Sequence, residues 1–280
     1  GRGRAILISG EPGIGNSRLA HEFVNGLHGA TTDVHVFEAS PLQVDTAYFP
    51  IGDYLRRRCF EAPSLERDLG QWVDDLGPIF AGSLAFFRGL VAPDAQGQDT
   101  SQTEMDALAK GMPDIFKRLA QASGAQKIAV LLFEDVQWLD PTTLNALIKL
   151  LTNIDKRRVL VLMTARKGEV TADIEDLSSE NLELAPLLEI DSRHLVESLA
   201  SELDFWRNDY TNAILARAEG NPLILEELAA NLRELTSQDT GAASLETPLA
   251  LSASLEETII ARFDRLPDAR PFHQCAAIIG

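Results

Sequence analysis

The sequence predicts an α/β fold in which helices cover both faces of a parallel sheet. Three observations carry that prediction: short, continuously apolar runs, amphipathic stretches that alternate with them, and a glycine-rich turn joining the first run to the first helix. Strands buried on both faces read as unbroken apolar runs, and alternation with helical patterns makes the sheet parallel.

The elements follow in order. Ala5–Ser9 is the first strand, closed by Gly10, and comparable runs occupy Val34–Glu38, Ile128–Phe133 and Val159–Thr164. From about Ser17 a helix places Leu19, Ala20, Phe23, Val24 and Leu27 on one face. Met105, Leu108, Met112, Ile115, Phe116 and Leu119 form a second such face, which Pro113 should kink or split. Asp140 is placed to cap a third helix, with Pro141 at its first position and Leu144, Leu147, Ile148 and Leu151 at i, i+3, i+4 and i+7. The acidic stretch Glu169–Glu183 is expected to be an exposed loop and helix end. Beyond Pro186 the strand signals stop. Three helices are expected at Ser192–Leu203, Tyr210–Ala218 and Leu223–Leu235, then a linker over Thr236–Thr247 and further helices at Leu255–Phe263 and Pro271–Ile279.

Composition narrows the function classes. The 280 residues are 45% hydrophobic and 24% charged, which fits an ordinary globular protein. Neither a signal peptide nor an apolar run long enough to span a membrane is found, and a cytoplasmic protein is expected. Cys59 and Cys275 have no metal-ligand spacing around them and are expected as unpaired thiols in a reducing compartment. A net charge of −17 disfavours a nucleic-acid-binding surface. Both ends read as cut, and a fragment of a larger protein is expected.

Four motifs carry chemistry. Gly10-Glu11-Pro12-Gly13-Ile14-Gly15-Asn16-Ser17 is a phosphate-binding loop between strand and helix, except that Asn16 stands where the motif has lysine. Its glycines let backbone N–H groups turn toward phosphate oxygens, and the helix end adds its dipole. Gly10, Gly13, Ile14, Gly15, Asn16, Ser17 and Arg18 are therefore the candidate nucleotide-binding residues, with the Ser17 hydroxyl a Mg2+ ligand. Arg18 follows but points along the helix and does not replace the lysine. The second motif is an apolar strand delivering Glu134 and Asp135 at its C-terminal end, ahead of Val136-Gln137-Trp138-Leu139-Asp140-Pro141. One acid would hold Mg2+ and the other orient or deprotonate water. Position assigns the metal to Glu134 and the base role to Asp135, although sequence leaves the two interchangeable. Thirdly, Thr164 and Arg166 at the next strand's tip are candidates to sense the γ-phosphate. The fourth, Glu219-Gly220-Asn221-Pro222-Leu223, is a turn with proline opening a helix.

In this order the motifs resemble those of the STAND branch of AAA+ P-loop ATPases, as found in modules attached to bacterial class III adenylate or guanylate cyclases and to large transcriptional activators. The resemblance rests on Gly10–Leu19, Ala47-Tyr48-Phe49-Pro50-Ile51, Glu134–Pro141, Thr164-Ala165-Arg166, Gly220-Asn221-Pro222-Leu223 with Glu226-Glu227-Leu228, and Cys275–Gly280. It implies a P-loop NTPase sheet of order 5-1-4-3-2 in residues 1–185, a helical lid in 186–240, and a linker with the start of a winged helix in 241–280. It further implies ATP or ADP with Mg2+ as ligands, Pro222 against the adenine, and Arg166 as a sensor arginine. Nucleotide, other domains of the parent chain and self-association are the expected partners. The function so implied is a regulatory switch with slow or absent hydrolysis. The alternatives are a scaffold that no longer binds nucleotide and, against the chain's acidity, a DNA-gripping protein.

Overall fold

A computed structural model of the chain describes residues 2–27, 32–60, 65–80, 83–91, 111–122, 127–200 and 208–238. Strands β1 (Arg4–Gly10), β2 (Thr32–Glu38), β3 (Ile128–Glu134), β4 (Val159–Arg166) and β5 (Glu180–Leu184) form a parallel sheet in the order β2-β3-β4-β1-β5. This is the expected 5-1-4-3-2 order read from the opposite edge.

The apolar runs divide their residues between two cores because successive side chains of a strand point to opposite faces. On one face, Ile8, Val130, Leu132 and Leu162 meet Ala20 and Val24 of α1 (Asn16–Gly26). On the other, Leu7, Leu131, Phe133, Val161 and Met163 meet α2 (Phe49–Phe60), α3 (Leu65–Asp75), α4 (Leu84–Val91), α5 (Ile115–Ala122) and α6 (Pro141–Leu151) through Leu55, Leu69, Phe87, Phe116 and Leu147. Rings of Phe37, Phe116 and Phe133 form a buried triangle with centroids 5.1, 4.9 and 4.8 Å apart. Each fully buried side chain of this size contributes about 1.5–3 kcal/mol.

One expectation for this part of the chain is corrected. Residues 169–183 are not a loop and helix end: they hold α7 (Ala172–Leu177), anchored by the buried Ile174, and most of β5. Strand β5 pairs only with β1 on its inner side and exposes most of its side chains, so it needs no apolar run and gives no periodic signal. The interruption expected at Pro113 is present as a 3-10 turn, Met112–Asp114, and α5 starts after it. Met105 and Leu108 lie outside the described residues.

The structure divides into two compact units, one of residues 1–12 and 16–184, the other of residues 13–15 with those from Ala185 onward. The second contains α8 (Glu189–Ala200), α9 (Asn208–Ala218) and α10 (Pro222–Gln238), packed through Val196, Ile214, Leu225, Leu228 and Leu232. Helix α10 runs through Thr236 to Gln238, so the expected linker does not begin at Thr236. The rest of that linker, the two later helical segments and Cys275 lie outside the described residues, as does the side chain of Cys59. Among the described residues no helix is long and apolar enough to cross a membrane.

Candidate functional site

Strand register brings the sequence-predicted residues to one end of the sheet. Gly10 at the end of β1 is level with Arg166 at the end of β4, Ile8 with Thr164, and Phe133 of β3 with Met163 of β4. Glu134, the last residue of β3, is therefore level with Thr164. Ligands of open α/β sheets bind outside this C-terminal edge.

The loop leaving β1 has the backbone its glycines predict. Gly13 and Gly15 have φ of +81° and +106°, a region L side chains rarely adopt, and a Cβ added at Gly15 would meet nothing within 4 Å. The backbone at Gly15 thus borders open space. Ile14 is buried, Asn16 and Ser17 are half-buried in the first turn of α1, and Arg18 is exposed. Asn16 does not reach into that space with its amide: Nδ2 donates to the carbonyl of Ala165 at 3.0 Å and to that of Gly10 at 3.4 Å. Its Oδ1 is buried without a hydrogen-bond partner.

At the acid pair, Glu134 is buried to 9% exposure and Asp135 takes a left-handed conformation with φ of 54°. That conformation is uncommon outside glycine and concentrates at functional sites. The hydroxyl of buried Thr164 accepts the Asp135 N–H at 3.0 Å. Gln137 then links the second acid to the arginine: its Nε2 donates to Asp135 Oδ1 at 3.0 Å, and its Oε1 accepts the Arg166 N–H at 3.3 Å. The Arg166 guanidinium sits over the Trp138 ring, 5.6 Å from the centroid, and 3.9 Å from Glu169 Oε1. It is exposed, and a cation over an aromatic face gains about 0.5–1 kcal/mol at such sites.

The acid pair continues into a knot that fixes the following helix. Asp140, 1% exposed, caps α6 by accepting the N–H groups of Thr142 and Thr143 and both their hydroxyls. Its Oδ1 also accepts the N–H of Tyr48 at 3.1 Å, where φ is 59° at the start of α2. Burial, reinforced by the Asp140 charge, raises the pKa of the Tyr48 phenol above its ordinary value.

Structure thus joins Asn16, Glu134, Asp135, Thr164 and Arg166 along one sheet edge. Pro222, the first residue of α10, belongs to the helical unit, where Asn221 Oδ1 accepts the N–H groups of Leu223 and Ile224. Sequence reasoning missed His21, whose Nε2 lies 2.6 Å from Glu134 Oε1, and it missed the Gln137 link. His21 is one helical turn beyond Ser17, and that spacing was the available signal.

The residues present fit a phosphate ligand and a divalent ion. A left-handed glycine backbone with open space at Gly15 suits an anion, while the carboxylates and the Ser17 hydroxyl are hard oxygen donors of the type Mg2+ takes. The buried oxygen of Asn16 adds an acceptor that lacks a donor.

Among solved structures, the RuvB Holliday junction branch migration motor of Thermotoga maritima is similar at 15% identity and a TM-score of 0.46, over 84% of this chain and 56% of that one. A STAND protein with a tetratricopeptide repeat sensor from Pyrococcus horikoshii is similar at 14% identity and a TM-score of 0.41, over 86% of this chain and 28% of that one. An uncharacterized protein of Rhizobium meliloti (strain 1021) is 24% identical over 294 residues, and the chain spans all of its own length but 28% of that relative. Residues 1–162, more than half of the chain, match the family described as the AAA ATPase domain, and the chain belongs to that family.

Proposed function

We propose that this chain is the ATP- and ADP-binding regulatory module of a longer STAND-type signalling protein, with slow or absent hydrolysis because Asn16 replaces the loop lysine. One observation carries the reading: Gly10, from which the glycine loop leaves, Glu134 and Thr164 lie at the same end of adjacent strands, in register. Backbone N–H groups of Gly13–Gly15 and the first turn of α1 bind the phosphates. Ser17 and Glu134 would hold a divalent ion, which would supply charge neutralisation to the phosphates. Asp135 orients the attacking water and accepts its proton, with Gln137 fixing its carboxylate. Thr164 and Arg166 report the γ-phosphate, and Pro222 is assigned to the adenine side. The helical unit would respond to the nucleotide present, since a ligand shifts a conformational equilibrium only through different affinities for the two states.

The missing ammonium sets the scale. A charge-assisted hydrogen bond contributes about 1.5–3 kcal/mol, so losing one or two weakens binding by roughly ten- to several-hundred-fold. Hydrolysis should fall further, because the ammonium also acts on charge that develops in the transition state. Calorimetric titration of Mg-ATP and Mg-ADP into the chain and into Asn16→Lys tests this. Weak binding that tightens in Asn16→Lys supports the switch; if neither form binds, the nucleotide reading is wrong and a protein-interaction scaffold replaces it.

A further inference from the structure

We propose that His21 is a metal ligand, forming with Ser17 and Glu134 a mixed nitrogen–oxygen site that prefers Mn2+ to Mg2+. The proposal deepens the nucleotide reading and rests on it for the phosphate oxygens that complete the coordination shell. His21 Nε2 lies 2.6 Å from Glu134 Oε1, and His21 and Ser17 are four residues apart on α1 and so share a helix face. An imidazole nitrogen and a carboxylate thus meet, and the serine lies one helical turn before the histidine on the same helix.

Geometry allows the pair to open around an ion. Donors at about 2.0–2.2 Å from a metal and at right angles to each other stand about 3 Å apart, only a few tenths of an ångström beyond the observed contact. The imidazole side chain is 43% exposed and the carboxylate 11%, so the histidine can move while the acid stays anchored. As a ligand, His21 would offer the Nε2 lone pair with its proton on Nδ1.

Chemistry then selects the ion. Mg2+ takes oxygen ligands in a nearly ideal octahedron and keeps much of its water, whereas imidazole suits transition ions, and affinity for them rises from Mn2+ onward. In a loop without its lysine, a directly ligated cation also supplies positive charge close to the phosphates. A purely hydrogen-bonding role for His21 makes a different prediction, because glutamine can donate to Glu134 as histidine does but is a poor metal ligand.

The test uses the 280-residue chain, His21→Gln and His21→Ala, with Mn2+ and Mg2+, each with and without ADP. His21 is partly exposed, so both variants should fold, which circular dichroism checks. Removing even an outer partner of a metal ligand costs about 10–100-fold in affinity, so both variants should lose at least about tenfold for Mn2+ while Mg2+ affinity changes far less. Electron spin-echo modulation of bound Mn2+ should show a nitrogen coupling in the unsubstituted chain that is lost in His21→Gln. Two results would overturn the proposal: no histidine nitrogen coupling, or an unchanged Mn2+ to Mg2+ ratio in His21→Gln. If ADP binds but either result is found, this inference fails and the nucleotide reading stands. If ADP binds with neither metal, even to Asn16→Lys, the nucleotide reading fails, and Mn2+ alone still decides: absence of bound Mn2+ with nitrogen coupling overturns the site.

Discussion

Replacing Asp140 by alanine should cost about 3–5 kcal/mol, a large share of the 5–15 kcal/mol that separates folded from unfolded domains. The carboxylate is 1% exposed and accepts from the N–H groups of Tyr48, Thr142 and Thr143 and from both threonine hydroxyls. Loss of a helix N-cap alone costs about 0.5–2 kcal/mol. Each buried donor left without an acceptor adds about 1–3 kcal/mol. Tyr48 keeps a second acceptor, Thr142 Oγ1 at 3.3 Å, which softens one of these losses, and water entering the vacated volume softens others. Urea titration followed by circular dichroism reads the effect: with a slope of about 3 kcal/mol per molar, the midpoint should drop by about 1–1.7 M. Asp140→Asn, which retains one acceptor oxygen, should fall between. A drop below about 0.3 M in Asp140→Ala, equivalent to about 1 kcal/mol at that slope, would show that this knot does not hold the start of α2 to α6.

Three further outcomes follow from the same contacts. Thr164→Val keeps the shape of a buried side chain but removes the acceptor of the Asp135 N–H, and it should destabilise by about 1–3 kcal/mol in the same titration while Thr164→Ser stays near the parent. Gln137→Ala unlinks Asp135 from Arg166; misplacing a positioned group slows chemistry far more than binding, so in the Asn16→Lys background single-turnover ATP cleavage should drop about tenfold or more with ADP affinity nearly unchanged. Burial, the largest influence, raises the Tyr54 phenol to about 12. Because the unfolded chain loses that proton first, near pH 10, stability that is full below pH 10 should decline by up to about 3 kcal/mol between pH 10 and 12. Tyr54→Phe should flatten that decline in pH-dependent urea titrations, and an unaltered slope would sink the assignment.

What the sequence made legible follows a physical rule. Strands β1, β3 and β4 and the glycine loop are determined locally: strands buried on both faces read as apolar runs, and the positive φ at Gly13 and Gly15 strongly favours glycine. The acids were legible because they follow such a strand directly. Strand β5 was hidden because an edge strand with exposed faces has no reason to repeat an apolar pattern. His21 and Glu134 meet across 113 positions, and only the parallel register that sets α1 against β3 and β4 creates the contact. Gln137 was quoted within its motif, yet its use depends on β3 and β4 lying side by side with their ends nearly level, which no local pattern encodes.

Asn16 is more than a missing charge. Its amide ties the start of α1 to the carbonyls of Ala165 at the end of β4 and, more weakly, Gly10 at the end of β1. Two neutral hydrogen bonds of about 0.5–1.5 kcal/mol each oppose any turn of that amide toward a phosphate. Asparagine is also shorter than lysine, so turning it would give up these bonds for a neutral donor with less reach. The amide is therefore a latch, and the proposed function leaves phosphate recognition to the loop's N–H groups. Asn16→Ala should accordingly change Mg-ADP affinity by less than about threefold, since no phosphate donor is removed, whereas Asn16→Lys should tighten it by roughly tenfold or more. Stability of Asn16→Ala should also change little: the two bonds are lost, but so is the buried Oδ1 that has no partner. Gly10's carbonyl keeps the N–H of Lys167 at 3.0 Å. If Asn16→Ala instead weakened Mg-ADP binding tenfold, the amide would have to leave its carbonyl partners for the ligand, and the position would be a phosphate donor in its own right.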